Sequence, residues 1–181
     1  MSKIGLFFGT DTGTTRLLGK KIAKQLGDDL VDKPLNINRT NLEDLLSYEV
    51  LILGTATYGE GDLPGMENNV KAGSWAEFVP QLEGVDLSGK TIALYGVGNQ
   101  EKYGERYVNG MAKLYHIVKD KGANIVGSWS TDGYTYTASE AVIDGKFVGL
   151  ALDNKSQKIN TEERIEGWVQ MVKPMLVEAL A

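Results

Sequence analysis

With 181 residues, 42% of them hydrophobic, the chain suits one core-bearing domain over residues 1–181, and no apolar run nears the roughly 20 residues that a membrane-spanning helix needs. It has no cysteine and one histidine, His116, which excludes disulfides, thiolate nucleophiles, cysteine-bound zinc or iron–sulfur clusters, histidine-based triads and multi-histidine metal sites. The formal charge of −5 argues against a nucleic-acid groove and favours partners with basic docking faces, and the opening MSKIGLFFG lacks a signal-peptide layout, so a cytoplasmic protein without membrane attachment is expected. Any redox chemistry has to come from a bound organic cofactor.

Residues 3–9 form an apolar, β-rich run, and similar runs recur at 50–56, 91–98, 124–130 and 148–153. Helical periodicity fills the stretches between them, a rhythm that predicts a parallel sheet covered on both faces. The first loop reads Thr10-Asp11-Thr12-Gly13-Thr14-Thr15 and leads into a helix over 14–26, with Leu18, Ile22 and Leu26 on one side and Arg16, Lys20 and Lys24 on the other. Backbone N–H groups and hydroxyls converging on a helix start suit an anion. Gly9 and Gly13 have the wrong spacing for a nucleoside-triphosphate loop and no lysine follows Gly13, so the pattern fits a monophosphate held by neutral donors; an ordinary capped helix start fits the same residues.

A weak strand over 30–36 and a short helix over 41–47, capped by Thr40 or Asn41, precede the third strand. The loop after that strand, Thr55-Ala56-Thr57-Tyr58-Gly59-Glu60-Gly61-Asp62-Leu63-Pro64, combines glycines with one aromatic, and Tyr103 puts a second aromatic in the loop after the fourth strand. Either tyrosine alone reads as a half-buried packing residue, whereas two beside an anion loop suggest jaws around a flat ring. Gly96-Val97-Gly98 resembles the start of a dinucleotide fingerprint, but Glu101 stands where its third glycine belongs. Helices are then predicted over 104–121, ending at Gly122, and over 161–180, capped by Asn160 or Thr161 and kinked at Pro174. His116 falls in the first of these as a surface or boundary residue, and 131–147 reads as an excursion between two strand pieces.

Together these motifs resemble the flavodoxin family from Ile4 to Leu180. Thr10-x-Thr12-Gly13-x-Thr15 resembles its FMN-phosphate loop, and Thr57-Tyr58-Gly59-Glu60 and Gly98-Asn99-Gln100 through Tyr103 resemble its two ring-binding loops. The excursion, with SWSTDGY and DGKFVGLALD, is similar to the long-chain branch, and LPGMENNVKAGSW over 63–75 resembles flavodoxins that feed nitrogenase. Ala56 replaces a common proline, Tyr58 stands where many relatives carry tryptophan or leucine, and Asn99 replaces a common aspartate.

The resemblance implies a flavodoxin-like, doubly wound α/β fold with a five-stranded parallel sheet in the order 2-1-3-4-5. It implies non-covalent FMN, a low-potential one-electron carrier rather than an enzyme, and a monomer. Its partners would be NADPH- or pyruvate-linked reductases and acceptors such as nitrogenase reductase. The implied cofactor residues are Thr10, Asp11, Thr12, Gly13, Thr14, Thr15, Thr55, Ala56, Thr57, Tyr58, Gly59, Glu60, Gly98, Asn99, Gln100, Tyr103 and Tyr107, with Asp153 approaching the ribityl chain. The Gly59–Glu60 peptide would serve ring N5, and Glu60, Asp62, Glu67, Glu101 and Glu105 would supply negative charge against the reduced ring.

Two other readings share the sheet. A phosphoacceptor receiver domain needs an acidic pair after the first strand and an aspartate ending the third, but Asp11 stands alone and the third strand ends in Gly54-Thr55. An FMN enzyme such as a quinone reductase needs a substrate pocket over the ring, often with a proton donor, whereas the candidate loops hold no histidine and two tyrosines to cover the ring.

Overall fold

The computed structural model describes residues 3–10 and 13–181. All six residues of β1 (Ile4–Gly9) are buried, and β3 (Val50–Ala56) and β4 (Thr91–Val97) are buried almost throughout, because each of these parallel strands is covered on both faces. Ile4, Leu6 and Phe8 face α1 (Thr14–Leu26) and α5 (Thr161–Leu180), packing with Leu18, Ile22, Ile165 and Trp168. Phe7, Leu51 and Leu53 face the other side and pack with α2 (Leu42–Leu46), α3 (Trp75–Phe78) and α4 (Asn109–Asp120) through Leu45, Trp75, Phe78 and Met111. The two cores lie on opposite sides of one sheet and lock its register, because a one-residue slip would exchange them.

The sheet order is β2 (Leu35–Asn36), β1, β3, β4, β5 (Asn124–Val126), all parallel, with β9 (Leu150–Leu152) also parallel to β4. The fifth strand position is thus filled in two pieces. β5 pairs with Thr91–Ala93 and β9 with Tyr95–Val97. Between them, β6 (Trp129–Ser130), β7 (Val142–Ile143) and β8 (Lys146–Phe147) form a small antiparallel sheet of their own. Tyr134 fastens this excursion to the main body: its hydroxyl donates to the Ala151 carbonyl (2.6 Å) and the Arg164 guanidinium lies 3.8 Å from its ring centroid.

Several sequence expectations change. The run 124–130 leaves the main sheet after Val126, where Gly127 has φ 92° and its carbonyl accepts from Trp168 Nε1 (2.8 Å). The helix expected over 104–121 is a 3-10 turn, Gly104–Arg106, followed by α4, with Val108 at φ 48° between them. The returning excursion draws this segment out of helix: Thr137 and Ala138 N–H donate to the Gly104 carbonyl (2.8 Å each), and Ser139 Oγ donates to that of Tyr107 (2.6 Å). The weak strand over 30–36 shrinks to β2 and an isolated bridge between Ile4 and Val31. Asn41 caps α2 as expected, accepting from Asp44 N (2.8 Å), and His116 is exposed. The last helix begins after Asn160, whose side chain makes no cap bond, and runs through Pro174 without interruption.

Candidate functional site

At the carboxyl ends of β1, β3 and β4 lies a cavity of about 330 Å³. This is the position an open parallel sheet reserves for ligands. Its placement depends on Tyr95 of β4, whose fully buried ring fills space left by two glycines: a Cβ at Gly54 would come within 2.0 Å of the ring and one at Gly19 within 2.4 Å of the hydroxyl. That hydroxyl donates to the Thr15 carbonyl (2.9 Å), fixing the first turn of α1 against the sheet.

One end of the cavity is formed by Thr10, Thr14 and Thr15. Gly13 occupies the N-cap in a left-handed conformation and donates through its N–H to Thr10 Oγ1 (3.1 Å); among the described residues no side chain caps α1, and its first turn carries no acid. No described residue thus occupies the positive end of the helix, where an anion would be stabilised. Thr15 Oγ1 is buried with no hydrogen-bond partner among the described residues. Asp11 and Thr12, expected in this loop, lie outside the described residues.

The other end lies between two loops. Ala56, Thr57, Tyr58 and Gly59 line one side; Gly98, Asn99, Tyr103, Arg106, Tyr107 and Val108 line the other; Asn154 and Lys155 add a third wall after β9. Residues 58–62 make a tight turn in which Tyr58 and Asp62 exchange backbone bonds (2.9 and 2.6 Å), and positive φ at Gly59 and Gly61 lets the chain reverse. The turn is anchored to α4 and the residues before it. Gly110 N donates to Thr57 Oγ1 (2.8 Å), Arg106 pairs with Glu60 (3.3 Å) and Lys113 pairs with Asp62.

In the facing loop, Asn99 Oδ1 accepts from Glu101 N, Lys102 N and Ser156 Oγ (3.2, 3.0 and 2.8 Å). Tyr103, 43% exposed, carries Lys102 and Arg106 over its ring at 5.4 and 5.5 Å from the centroid.

Besides Gly13 at the helix start, four expected residues stand behind the lining or outside it. Thr55 is buried and donates to the Ala56 carbonyl (2.9 Å), and Glu60 is exposed at the rim. Gln100 is buried and accepts from Thr135 N through Oε1. Asp153 is fully buried; its carboxylate accepts from Gln100 N (2.9 Å), Ser156 N (2.8 Å) and Lys155 N (3.0 Å). Burial by itself would raise that carboxyl, but the N–H donors of Gln100, Ser156 and Lys155 outweigh it and hold it below the usual value of 3.8. Asp153 thereby joins the loops after β4 and β9. Tyr107 lines the cavity with its hydroxyl buried and unpartnered among the described residues, and burial pushes the phenol well above its usual value.

Arg106, Asn154 and Lys155 are lining residues that sequence reasoning missed. Residues 154 and 155 follow directly on the last strand, so the rule that sites gather at strand ends could have found them. Arg106 sits in the third candidate loop, but nothing local separates it from a surface arginine. The acidic character expected of 60–62 is also altered, since Glu60 and Asp62 are each ion-paired.

Residues 6–168 match the protein-family model described as Flavodoxin. The chain belongs to the flavodoxin family. It is 47% identical over 173 residues to a flavodoxin of Klebsiella pneumoniae, covering 96% of this chain and 98% of that one. It is 40% identical over 179 residues to flavodoxin 1 of Escherichia coli K12, covering 97% and 96%. Among solved structures, a Fusobacterium nucleatum flavodoxin bound to flavin mononucleotide superposes with a TM-score of 0.86 at 36% identity, covering 97% of this chain and 99% of that one. The flavodoxin fold expected from the sequence is therefore present, with the parallel order 2-1-3-4-5 and helices on both faces. No helix among the described residues is long and apolar enough to cross a membrane, and no acid or histidine cluster among them could hold a metal ion.

Proposed function

We propose that this flavodoxin holds one FMN non-covalently in the cavity and passes single electrons at low potential between redox proteins, with residues 1–181 as one FMN-binding domain. The observation that carries the reading is the pairing, in one cavity, of an uncapped helix start beside the orphaned Thr15 hydroxyl with two tyrosines in facing loops. The FMN-bound Fusobacterium relative supports it. Bound FMN supplies a ring that accepts and returns electrons one at a time.

The protein's own part is to hold and tune. Thr10, Thr14, Thr15 and the backbone around Gly13, with Asp11 and Thr12, take the phosphate. Tyr58 and Tyr103 would flank the ring and exclude water, with Gly59 and Glu60 beside it. Ala56 and Thr57 on one side and Gly98, Asn99 and Tyr107 on the other would form the walls that hold it, supported from behind by Thr55 and Gln100. Asp153 acts through the backbone it anchors.

The excursion between β5 and β9 supports the long-chain branch, and the resemblance of LPGMENNVKAGSW over 63–75 to flavodoxins that feed nitrogenase supports a nitrogenase-linked acceptor. Electron donors would be NADPH- or pyruvate-linked reductases with basic docking faces, and the protein would act as a cytoplasmic monomer. Calorimetric titration of apoprotein tests the cofactor reading: FMN should bind far more tightly than riboflavin, and equal affinities would reject the phosphate site.

A further inference from the structure

Arg106 touches both ring-flanking loops and also lines the cavity. It follows Tyr103 by three positions in the 3-10 turn Gly104–Arg106, so its guanidinium returns over the Tyr103 ring, 5.5 Å from the centroid. The same guanidinium reaches across to Glu60 (3.3 Å) in the opposite loop, and its Nε is buried without a hydrogen-bond partner among the described residues. Nearby charges are arranged in compensating pairs, with Lys113 balancing Asp62 and Arg106 balancing Glu60. Lys102 over Tyr103 and Lys155 on the third wall add cations, against exposed Glu101 and Glu105.

We propose that Arg106 is a positioning and potential-setting residue of the FMN site, clamping the Tyr103 loop to the 58–62 turn and offsetting the Glu60 charge at the cavity rim. The proposal rests on the reading that FMN occupies this cavity. The sign follows from electrostatics: the first electron from an external reductant is taken up with a proton and adds no net charge, the second adds a negative charge to the ring, and a guanidinium beside the ring favours that more negative state. Arg106 thereby offsets, without reversing, the negative charge that Glu60 brings to this rim. Arginine suits the role because its planar group stacks on an aromatic face while its N–H edge pairs with a carboxylate, which lysine cannot reproduce in one geometry.

The test is a dithionite titration of FMN-loaded wild type, Arg106→Gln, Arg106→Lys, Glu60→Gln and the Arg106→Gln/Glu60→Gln double variant, with FMN affinity measured alongside. Arg106→Gln should weaken preferential binding of the fully reduced cofactor by about tenfold, making the second one-electron potential more negative by about 59 mV. Glu60→Gln should shift it the opposite way, and the double variant should return near wild type. Arg106→Lys should keep the potential but speed amide exchange at Gly61 and Asp62, because charge survives while the clamp does not. An unchanged or less negative second potential in Arg106→Gln overturns the assignment; if that variant cannot retain FMN, an unchanged potential in Glu60→Gln overturns it instead. Failure of wild type to bind FMN would overturn the cofactor reading, which separates the two.

Discussion

At the end of the cavity against α1, the wall is lined by Thr10, Thr14 and Thr15, with no acid in the first helical turn and no side-chain cap among the described residues. The end between 57–62 and 98–107 is different. There Tyr58 and Tyr103 line the cavity from two loops held by ion pairs and long-range hydrogen bonds, and cations sit over the exposed Tyr103 ring. The first end depends mainly on one helix start and one strand, so its chemistry is local. The second end is assembled from three segments distant in sequence, and its net charge is set by which residues meet. A ligand spanning both would take its anchoring from the first and its electronic tuning from the second.

Within the second end Asp153 joins the loops after β4 and β9, and removing it should have the largest effect. Asp153→Ala leaves the N–H groups of Gln100, Lys155 and Ser156 without their acceptor and should cost about 3 kcal/mol in urea unfolding of the apoprotein, while weakening FMN at the ring end. The same carboxylate predicts an acid limb. Its folded-state value lies below the ordinary 3.8, so the folded protein binds fewer protons than the unfolded chain in that range. Its stabilising contribution is present above 3.8 and is lost as pH falls through the folded value, a dependence that Asp153→Ala should flatten.

Next in size, Thr15→Val separates the ends directly. It removes a buried hydroxyl that has no partner among the described residues, so apoprotein stability should hold or rise. FMN affinity should fall by about 2 kcal/mol, the worth of a hydrogen bond to a charged group. Riboflavin, which has no phosphate, should bind as before, and a matching loss for both ligands would show that Thr15 does not serve the phosphate. Tyr103→Ala should do the reverse, weakening FMN and riboflavin alike by roughly 1 kcal/mol. Unequal losses would mean that the two ends are coupled.

The smallest effect comes from a group remote from both. Burial, followed by the hydrogen bond from Tyr48 Oη to Asp32 Oδ2 (2.7 Å), pushes the Tyr48 phenol up to about 12 from 10.0. The folded state then holds a proton that the unfolded chain releases, so this contribution is present below pH 10 and is lost as pH rises towards 12. Tyr48→Phe should flatten the alkaline stability curve without altering FMN affinity at neutral pH.

Much of this protein follows from its sequence alone. The runs at 3–9, 50–56 and 91–98 are apolar without alternation because parallel strands buried on both faces expose no polar side, and they reappear as β1, β3 and β4 within a residue or two. The amphipathic pattern of 14–26 returns as α1 with Leu18, Ile22 and Leu26 buried, because helix periodicity is a local property.

Tertiary structure decided the rest wherever a distant segment competed for the same backbone. Bonds from 137–139 stop the helix expected at 104 and move its start to 109; Gly127 turns the chain out of the sheet and lets β9 complete the fifth position. The site divides the same way. The threonine loop and both tyrosines were legible as motifs, and Lys155 was within reach of the strand-end rule, whereas Arg106 between the loops, the pairing of Glu60 and Asp62, and the bond from Gln100 N to the Asp153 carboxylate were not. Each of those three depends on contacts between residues dozens of positions apart, and such contacts leave no periodic or compositional trace along the chain.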